Sequence, residues 1–335
     1  MEPKSTGPGR TEKICPAVPT DGQRRTFLKL AALGSLAAAA PGGAALGDTP
    51  AEPQTAIDTS AASPELAAFI TAFFDAKTAR DIEATMAFFS PDLVTYIDAT
   101  LGWDIAGHEA LRGVFAQYMP TWPDTARSYA TRVVGDMEGG AFVTFVDTPE
   151  LFGGELRILA AIDFEDGKIV RWIDHWDSRD WPNLYGLEKS ALSDYREAAV
   201  ARTASARMAA VASDLMAALA AGASGDLAEL LSDDVVFEDI ALRAQLRGRA
   251  ATLAYLTRAA ATLPYGDGAN LRHAVGSDSG GAIEWTASQA APFNTGVTGI
   301  VLDADGRIAR LTTVYDGGLY DAAQIGRMSA AVLNL

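Results

Sequence analysis

Glu165-Asp166-Gly167-Lys168-Ile169-Val170-Arg171-Trp172-Ile173-Asp174-His175-Trp176-Asp177 has the most diagnostic pattern in this chain. An Asp-Gly pair leads into a run of β-formers, which predicts a tight hairpin entering a strand. Side chains alternate faces along a strand. One face then carries Ile169, Arg171, Ile173, His175 and Asp177, and the other Val170, Trp172, Asp174 and Trp176. The hairpin signal recurs downstream as Ala304-Asp305-Gly306-Arg307-Ile308.

Other pieces recur in the same order. Leu66–Phe89 shows apolar residues at three and four spacings, a helical period, and leads into Ser90-Pro91-Asp92-Leu93-Val94-Thr95-Tyr96-Ile97-Asp98. Met208–Leu231 repeats that helical pattern and leads into Ser232-Asp233-Asp234-Val235-Val236-Phe237-Glu238-Asp239. Gly139-Gly140-Ala141 is echoed by Gly280-Gly281-Ala282. The offsets are 142, 141 and 139 residues, so the period is a whole domain and the body is a tandem duplication. The predicted organisation is a leader at 1–47, a linker at 48–63, a first domain at 64–187, a connector at 188–204 and a second domain at 205–330. Each unit reads as α+β: a cone-shaped, curved antiparallel sheet with helices on its concave face.

The leader contains Gln23-Arg24-Arg25-Thr26-Phe27-Leu28-Lys29, a weakly apolar run from Leu30 to Ala40, and small residues before Asp48. It resembles a twin-arginine signal peptide, which implies the twin-arginine export machinery as a partner and a periplasmic or secreted product.

The 335 residues carry a formal net charge of −16, and the first 47 are net positive by 3, so the body holds about −19. Such a body repels phosphate backbones, which argues against nucleic acid as a partner. The single cysteine, Cys15, lies in the leader, which excludes intrachain disulfides and a cysteine nucleophile in the body. Three histidines, His108, His175 and His273, stand far apart and form no metal-binding motif, so neither a metal nor a cofactor is expected.

The pieces Asp92–Asp98, Gly107-His108-Glu109-Ala110-Leu111 and Gly167–Asp177, present over about 65–185 and echoed over about 205–330, resemble the nuclear transport factor 2-like superfamily. The SnoaL-like polyketide cyclase and limonene epoxide hydrolase branches are the most similar. The resemblance implies a pocket with Trp172, Asp174 and Trp176 facing inward, and Arg171, His175 and Asp177 on the outer face or at an interface. Tyr96 and Asp98 look like the pair that holds an attacking water, with Asp98 replacing an amide. Asp147, which shares a strand face with Val143 and Phe145, looks like the second carboxylate. The epoxide hydrolase pattern also has an arginine two residues before that acid; here Phe145 stands there, and Arg157 or Arg132 are the candidates to replace it.

The expected site is therefore Asp174, Asp147, Asp98 and Tyr96 for chemistry, with Trp172, Trp176, Phe145 and Trp103 as walls for a small apolar or aromatic substrate. Carboxylates crowded in an apolar site do not all ionise, so one is left as acid and another as base. Such a pair opens an epoxide with water, expels a β-leaving group, or moves a proton beside a carbonyl, without a cofactor. A secreted binding module and a structural partner of another exported protein are the non-enzymatic readings.

In the second copy Asp98 corresponds to Ile240, or to Asp239 with a one-residue slip. Asp174 becomes Thr313, and Trp172 and Trp176 become Leu311 and Tyr315. The three-acid set is lost. Glu238, Asp239 and Glu284 are the second-domain candidates, with Glu238 and Glu284 assigned to the places of Tyr96 and Val143. Members of this fold pair through the open sheet face, so the tandem is expected to form an intramolecular pseudo-dimer.

Overall fold

A computed structural model describes residues 56–92, 94–179, 189, 204–222, 224–287 and 294–333. The leader, the start of the linker and almost all of the connector lie outside them.

The first unit runs β1 (Asp58–Ala62), α1 (Pro64–Thr78), α2 (Ile82–Met86), β2 (Thr95–Asp98), β3 (Trp103–Ala106), α3 (His108–Tyr118), β4 (Ser128–Asp136), β5 (Gly140–Asp147), α4 (Pro149–Phe152), β6 (Leu156–Glu165) and β7 (Lys168–His175). The second runs α5 (Ala206–Ala221), α6 (Ser224–Leu230), β8 (Leu231–Asp239), β9 (Ala244–Arg247), α7 (Arg249–Ala259), β10 (Asn270–Ser277), β11 (Gly280–Thr286), β12 (Thr295–Leu302), β13 (Ile308–Tyr315) and α8 (Ala322–Leu333).

Local chemistry starts both units alike. Ser63 caps α1, accepting the Leu66 N–H, and Pro64 opens the helix where its missing N–H is harmless. Ser205 caps α5 in the same way, accepting from the Met208 N–H. Helix α1 buries Leu66, Ile70, Phe73 and Phe74 along one face, and Lys77 one turn further along the same stripe. Asp166 and Gly167 take positive φ of 49° and 72°, making a two-residue turn between Glu165 and Lys168. The corresponding turn in the second unit is wider. There the Asp303 carboxylate accepts the N–H groups of Asp305 and Arg307.

The sheet orders are β1-β4-β5-β6-β7-β2-β3 and β10-β11-β12-β13-β8-β9. The α+β class and the curved sheets hold, but the sheets are mixed rather than antiparallel. Strands β4 to β7 form an antiparallel meander, whereas β2 pairs parallel with β7 and β8 parallel with β13. The cause is the chain path. After β3 the chain crosses by α3 to the far side of the sheet, and the meander brings β7 back beside β2 in the same direction. Residues 58–62, expected in the linker, form strand β1, parallel to β4.

The sheet faces that carry no helices pack against each other. Val134, Phe142, Leu159 and Ala161 of the first sheet form one buried cluster with Val275, Ala282, Val297 and Val314 of the second. Inside it lies an ionic network. Arg171 makes a bidentate pair with Glu284 at 2.6 and 2.7 Å and reaches Asp163 at 3.2 Å. His273 meets the same Asp163 at 2.9 Å, and His175 meets Thr295 at 3.1 Å. Among the described residues no helix is long and apolar enough to cross a membrane.

Candidate functional site

The inner face of the first sheet gathers the acids. Strands β2 and β7 lie side by side in register, so Tyr96 faces Trp172 and Asp98 faces Asp174. This parallel pairing is what brings the two carboxylates together. Asp174, only 4% exposed, accepts the Tyr96 hydroxyl at 2.5 Å on one oxygen and the Trp172 indole N–H at 2.5 Å on the other. The Tyr96 and Trp172 rings stack, centroids 6.1 Å apart. Asp98 accepts the Leu101 N–H at 2.8 Å and the Trp176 indole N–H at 3.1 Å. Tyr96, Asp98 and Trp103 are half-buried, whereas Asp174, Trp172 and Trp176 are buried.

Burial lifts Asp174 to about 8. The Asp98 charge adds to the rise, while the Tyr96 and Trp172 hydrogen bonds and the Lys77 charge oppose it. Burial lifts Asp98 to about 6, against the hydrogen bonds from Leu101 and Trp176. Burial and the Asp174 charge push Tyr96 well above the usual phenol range, so it stays a donor. At neutral pH Asp174 keeps its proton and Asp98 is mostly ionised: two neighbouring carboxyl groups with different charge states, suited to an acid and a base.

Asp147 lies on the same inner face, hydrogen-bonded to partners of its own but close enough for its charge to bear on Tyr96. It forms a buried ion pair with Lys77, at 3.2 and 3.3 Å, and accepts the Ser128 hydroxyl. The Lys77 ammonium also sits 5.1 Å from the Phe145 ring centroid and 5.8 Å from that of Phe74. Lys77 therefore supplies the cation that the sequence left to Arg157 or Arg132. Those two are engaged elsewhere, Arg157 with Glu155 at 2.9 Å and Arg132 with Asp58 at 3.0 Å. The signal for Lys77 was present. It is a lysine at helical spacing from Ile70, Phe73 and Phe74, on a stripe that should be apolar throughout.

Trp172, Trp176 and Phe145 are buried on the inner face, where the family resemblance put them. Phe145 packs on Phe74 at 5.1 Å and on Trp172 at 6.0 Å. Trp103 pairs with Asp98 across β2 and β3 but stacks on Tyr118 of α3 at 6.2 Å, so it stands at the rim. His175 lies on the opposite face, as alternation requires, and burial lowers it to about 4.

The second unit corrects two candidates and moves a third. Glu238 is half-buried beside Arg310, 3.6 Å away, on the strand face opposite Asp239. Glu284 points out of its unit to Arg171; against the burial that would raise it, the Arg171 charge holds it down to about 2. Neither lines an inner pocket. The reason is register. Gly140 and Gly280 both open their strands at positive φ, which aligns Glu284 with Thr144 rather than Val143 and turns it to the shared interface.

Asp239 is the equivalent of Asp98. It faces Thr313 across the parallel pair and accepts the Leu242 N–H at 2.8 Å. Its other oxygen takes the hydroxyls of Tyr265 at 2.9 Å and Tyr315 at 3.4 Å. Burial lifts it to about 7. Asp239, Tyr255, Tyr265 and Tyr315 are all at most 2% exposed. Met328 of α8 packs over Tyr315. Tyr255 and Tyr265 are site-like residues that the sequence did not flag, because α7 and the loop after it carry no motif.

A family model described as SnoaL-like domain matches the chain twice, at residues 70–172 and 212–311, together more than half its length. No curated protein matches the sequence. Among solved structures, a protein with a cystatin-like fold from Silicibacter pomeroyi is similar at 19% identity and TM-score 0.32, over 38% of this chain and 86% of its own. An NTF2-like protein of unknown function from Burkholderia pseudomallei is similar at 19% identity and TM-score 0.30, over 37% of this chain and 98% of its own. A steroid delta-isomerase from Pseudomonas aeruginosa is similar at 16% identity and TM-score 0.31, over 38% of this chain and 90% of its own. The two units, each a curved sheet with helices over its inner face, and the two matches at the same places in each, make this chain a member of the SnoaL-like domain family.

Proposed function

We propose that the protein is an exported, cofactor-independent acid–base enzyme acting on a small apolar or aromatic molecule in its first unit. The observation that carries this reading is the Asp98/Asp174 pair, side by side on β2 and β7, with one carboxyl raised to about 6 and its neighbour to about 8. Asp98 is the base. Asp174, with Tyr96 at 2.5 Å, is the acid that hydrogen-bonds and protonates a substrate oxygen. The reaction that fits best is proton removal beside a carbonyl, followed by isomerisation or elimination.

Epoxide hydrolysis is the weaker version. Its pattern has an arginine two residues before the second carboxylate; here Phe145 stands there, and the cation beside Asp147 is Lys77 from α1 instead. A purely binding pocket for apolar ligands would leave the facing carboxyl pair without a role. Export rests on the twin-arginine resemblance of the leader, and the packing of the two sheets supports an intramolecular pseudo-dimer.

The test is turnover by the mature protein, Asp98→Asn, Asp174→Asn and Asp239→Asn on β-hydroxy ketones, unsaturated ketones and aryl epoxides, followed by product mass without added cofactor. Loss of turnover in the first two variants, with Asp239→Asn active, supports the reading. Loss only in Asp239→Asn moves the chemistry to the second unit, and binding without turnover by the wild type supports a binding module. Water addition to the epoxides as the main reaction would replace proton transfer by hydrolysis.

A further inference from the structure

The chain leaving β7 does not stay within the first unit. Trp176 donates its indole N–H to Asp98, and its backbone is fixed by Thr100, whose hydroxyl donates to the Trp176 carbonyl at 2.7 Å and accepts the Trp176 N–H at 3.0 Å. Two residues on, Ser178 is buried against the second unit. Asp316, the residue after β13, accepts the Ser178 N–H at 3.2 Å and its hydroxyl at 2.6 Å, together with the Gly318 N–H at 2.9 Å. Lys189 closes an ion pair on the same carboxylate. The contact leaves no free volume: a Cβ on Gly317 would lie 2.6 Å from the Arg179 side chain and 2.8 Å from the Asp177 carboxylate.

The connection is reciprocal. Arg179 donates to the carbonyl of Ala241, in the turn whose Leu242 N–H holds Asp239. Each unit thus places one side chain on the segment that positions the other unit's strand-end aspartate, Asp98 or Asp239.

We propose that the second unit completes the first unit's site, with Asp316 as a positioning residue that anchors the Trp176–Ser178 strap and so fixes the indole N–H held by Asp98. This rests on the reading of Asp98 as the base for its catalytic meaning, but not for its structural content. The groups that bear on Asp98 are Asp174 across the ladder, Tyr96 on its own strand, the N–H groups of Thr100 and Leu101, the Trp176 indole, and Asp316 from the second unit. Lys77 on α1 acts on Asp174. The main cause of the Asp98 elevation is burial, and the Asp316 charge adds to it.

The experiment is a pH titration of the Trp176 indole N–H by NMR in the full chain, assigned with Trp176→Phe, for the wild type, Asp316→Asn and Ser178→Ala. The wild-type resonance should move with a midpoint near 6, the value of Asp98. In Asp316→Asn the lost like charge lowers the midpoint while the loosened indole bond raises it, so the diagnostic reading is the indole resonance at neutral pH, which should shift as in Ser178→Ala. In Ser178→Ala the charge stays, so the midpoint should not fall, while the resonance at neutral pH should shift as the indole–carboxylate bond loosens. Where turnover is measurable, both variants should lower kcat with little change in KM. Indole titrations identical to wild type in both variants would overturn the proposal. Moved titrations in a protein that turns nothing over would keep the coupling and remove only the enzymatic reading. Should Asp316→Asn fail to fold, an unshifted indole resonance in Ser178→Ala overturns the proposal by itself.

Discussion

Asp98 and Asp239 hold the same place in two copies of one fold, and their surroundings have diverged. Both end the strand that pairs in parallel with the last strand of the unit, and both accept the N–H three residues on at 2.8 Å. Across the ladder Asp98 meets Asp174, a second acid, whereas Asp239 meets Thr313. Thr313 is tied into a hydroxyl chain with Thr298, which accepts the Trp285 indole N–H. The indole of Trp176 is replaced by the phenol of Tyr315. The first site keeps half-buried edges, while the second is sealed by tyrosines under α8. A buried, raised acid is thus common to both units. The second acid facing Asp98, and the half-buried edge beside it, are what separate the first unit from the second.

The strongest test of that comparison concerns the interface that joins the two units. Glu284→Ala removes the bidentate partner of the buried Arg171 and should destabilise the protein by about 3–5 kcal/mol in urea unfolding, while replacing Arg171 and Glu284 together with apolar residues should recover much of the loss. A drop below about 1 kcal/mol would mean that the halves do not depend on this network.

The next largest effect is on turnover. Asp174→Asn should reduce kcat/KM about 100-fold or more, and Asp239→Asn should leave it within a few-fold. The reverse order would exchange the roles of the two units.

A third comparison uses pH. Asp174 is held near 8 and Asp239 near 7 in the folded chain, both above the ordinary aspartate value of about 3.9. A raised acid stabilises the fold fully below its unfolded value, and that stability is lost as pH rises through the folded one. The wild type should thus lose stability from about pH 4 upward. Asp239→Asn should remove the part of the fall ending near 7, and Asp174→Asn the part ending near 8, each a few kcal/mol at most. Parallel curves for all three proteins would show that these carboxyl groups are not raised.

The smallest effect is a matched pair. Ser63→Ala and Ser205→Ala each delete the helix cap that opens a unit and should each cost about 1 kcal/mol. Equal losses in thermal unfolding fit the shared origin of the two caps. A marked inequality would show that one unit's first helix is held by packing instead.

Much of the fold was legible because it depends on short-range chemistry. The helical spacing of Leu66–Phe89, the Asp-Gly turns and the two-residue alternation around Trp172 and Asp174 are local properties, and the repeat made each one visible twice. Alternation alone separated Trp172, Asp174 and Trp176 from Arg171 and His175, and the family resemblance said which set faces inward. The linker was misjudged at 58–62, where a short polar strand gains its order only from pairing with β4.

Sequence by itself determined the duplication, the α+β class, the acidic body and which residues share a strand face, because each depends on neighbours a few positions apart. Tertiary structure alone decided the partners. It paired β2 with β7 in parallel and so set Asp98 beside Asp174. It chose Lys77 from α1, rather than a strand arginine, as the cation for Asp147. A one-residue change of register sent Glu284 to Arg171 across the interface instead of into a pocket. These outcomes depend on contacts between residues far apart in the chain. Their energies come from burial, which raises an acid or forces a charge to find a counter-charge only once the surrounding elements have closed around it.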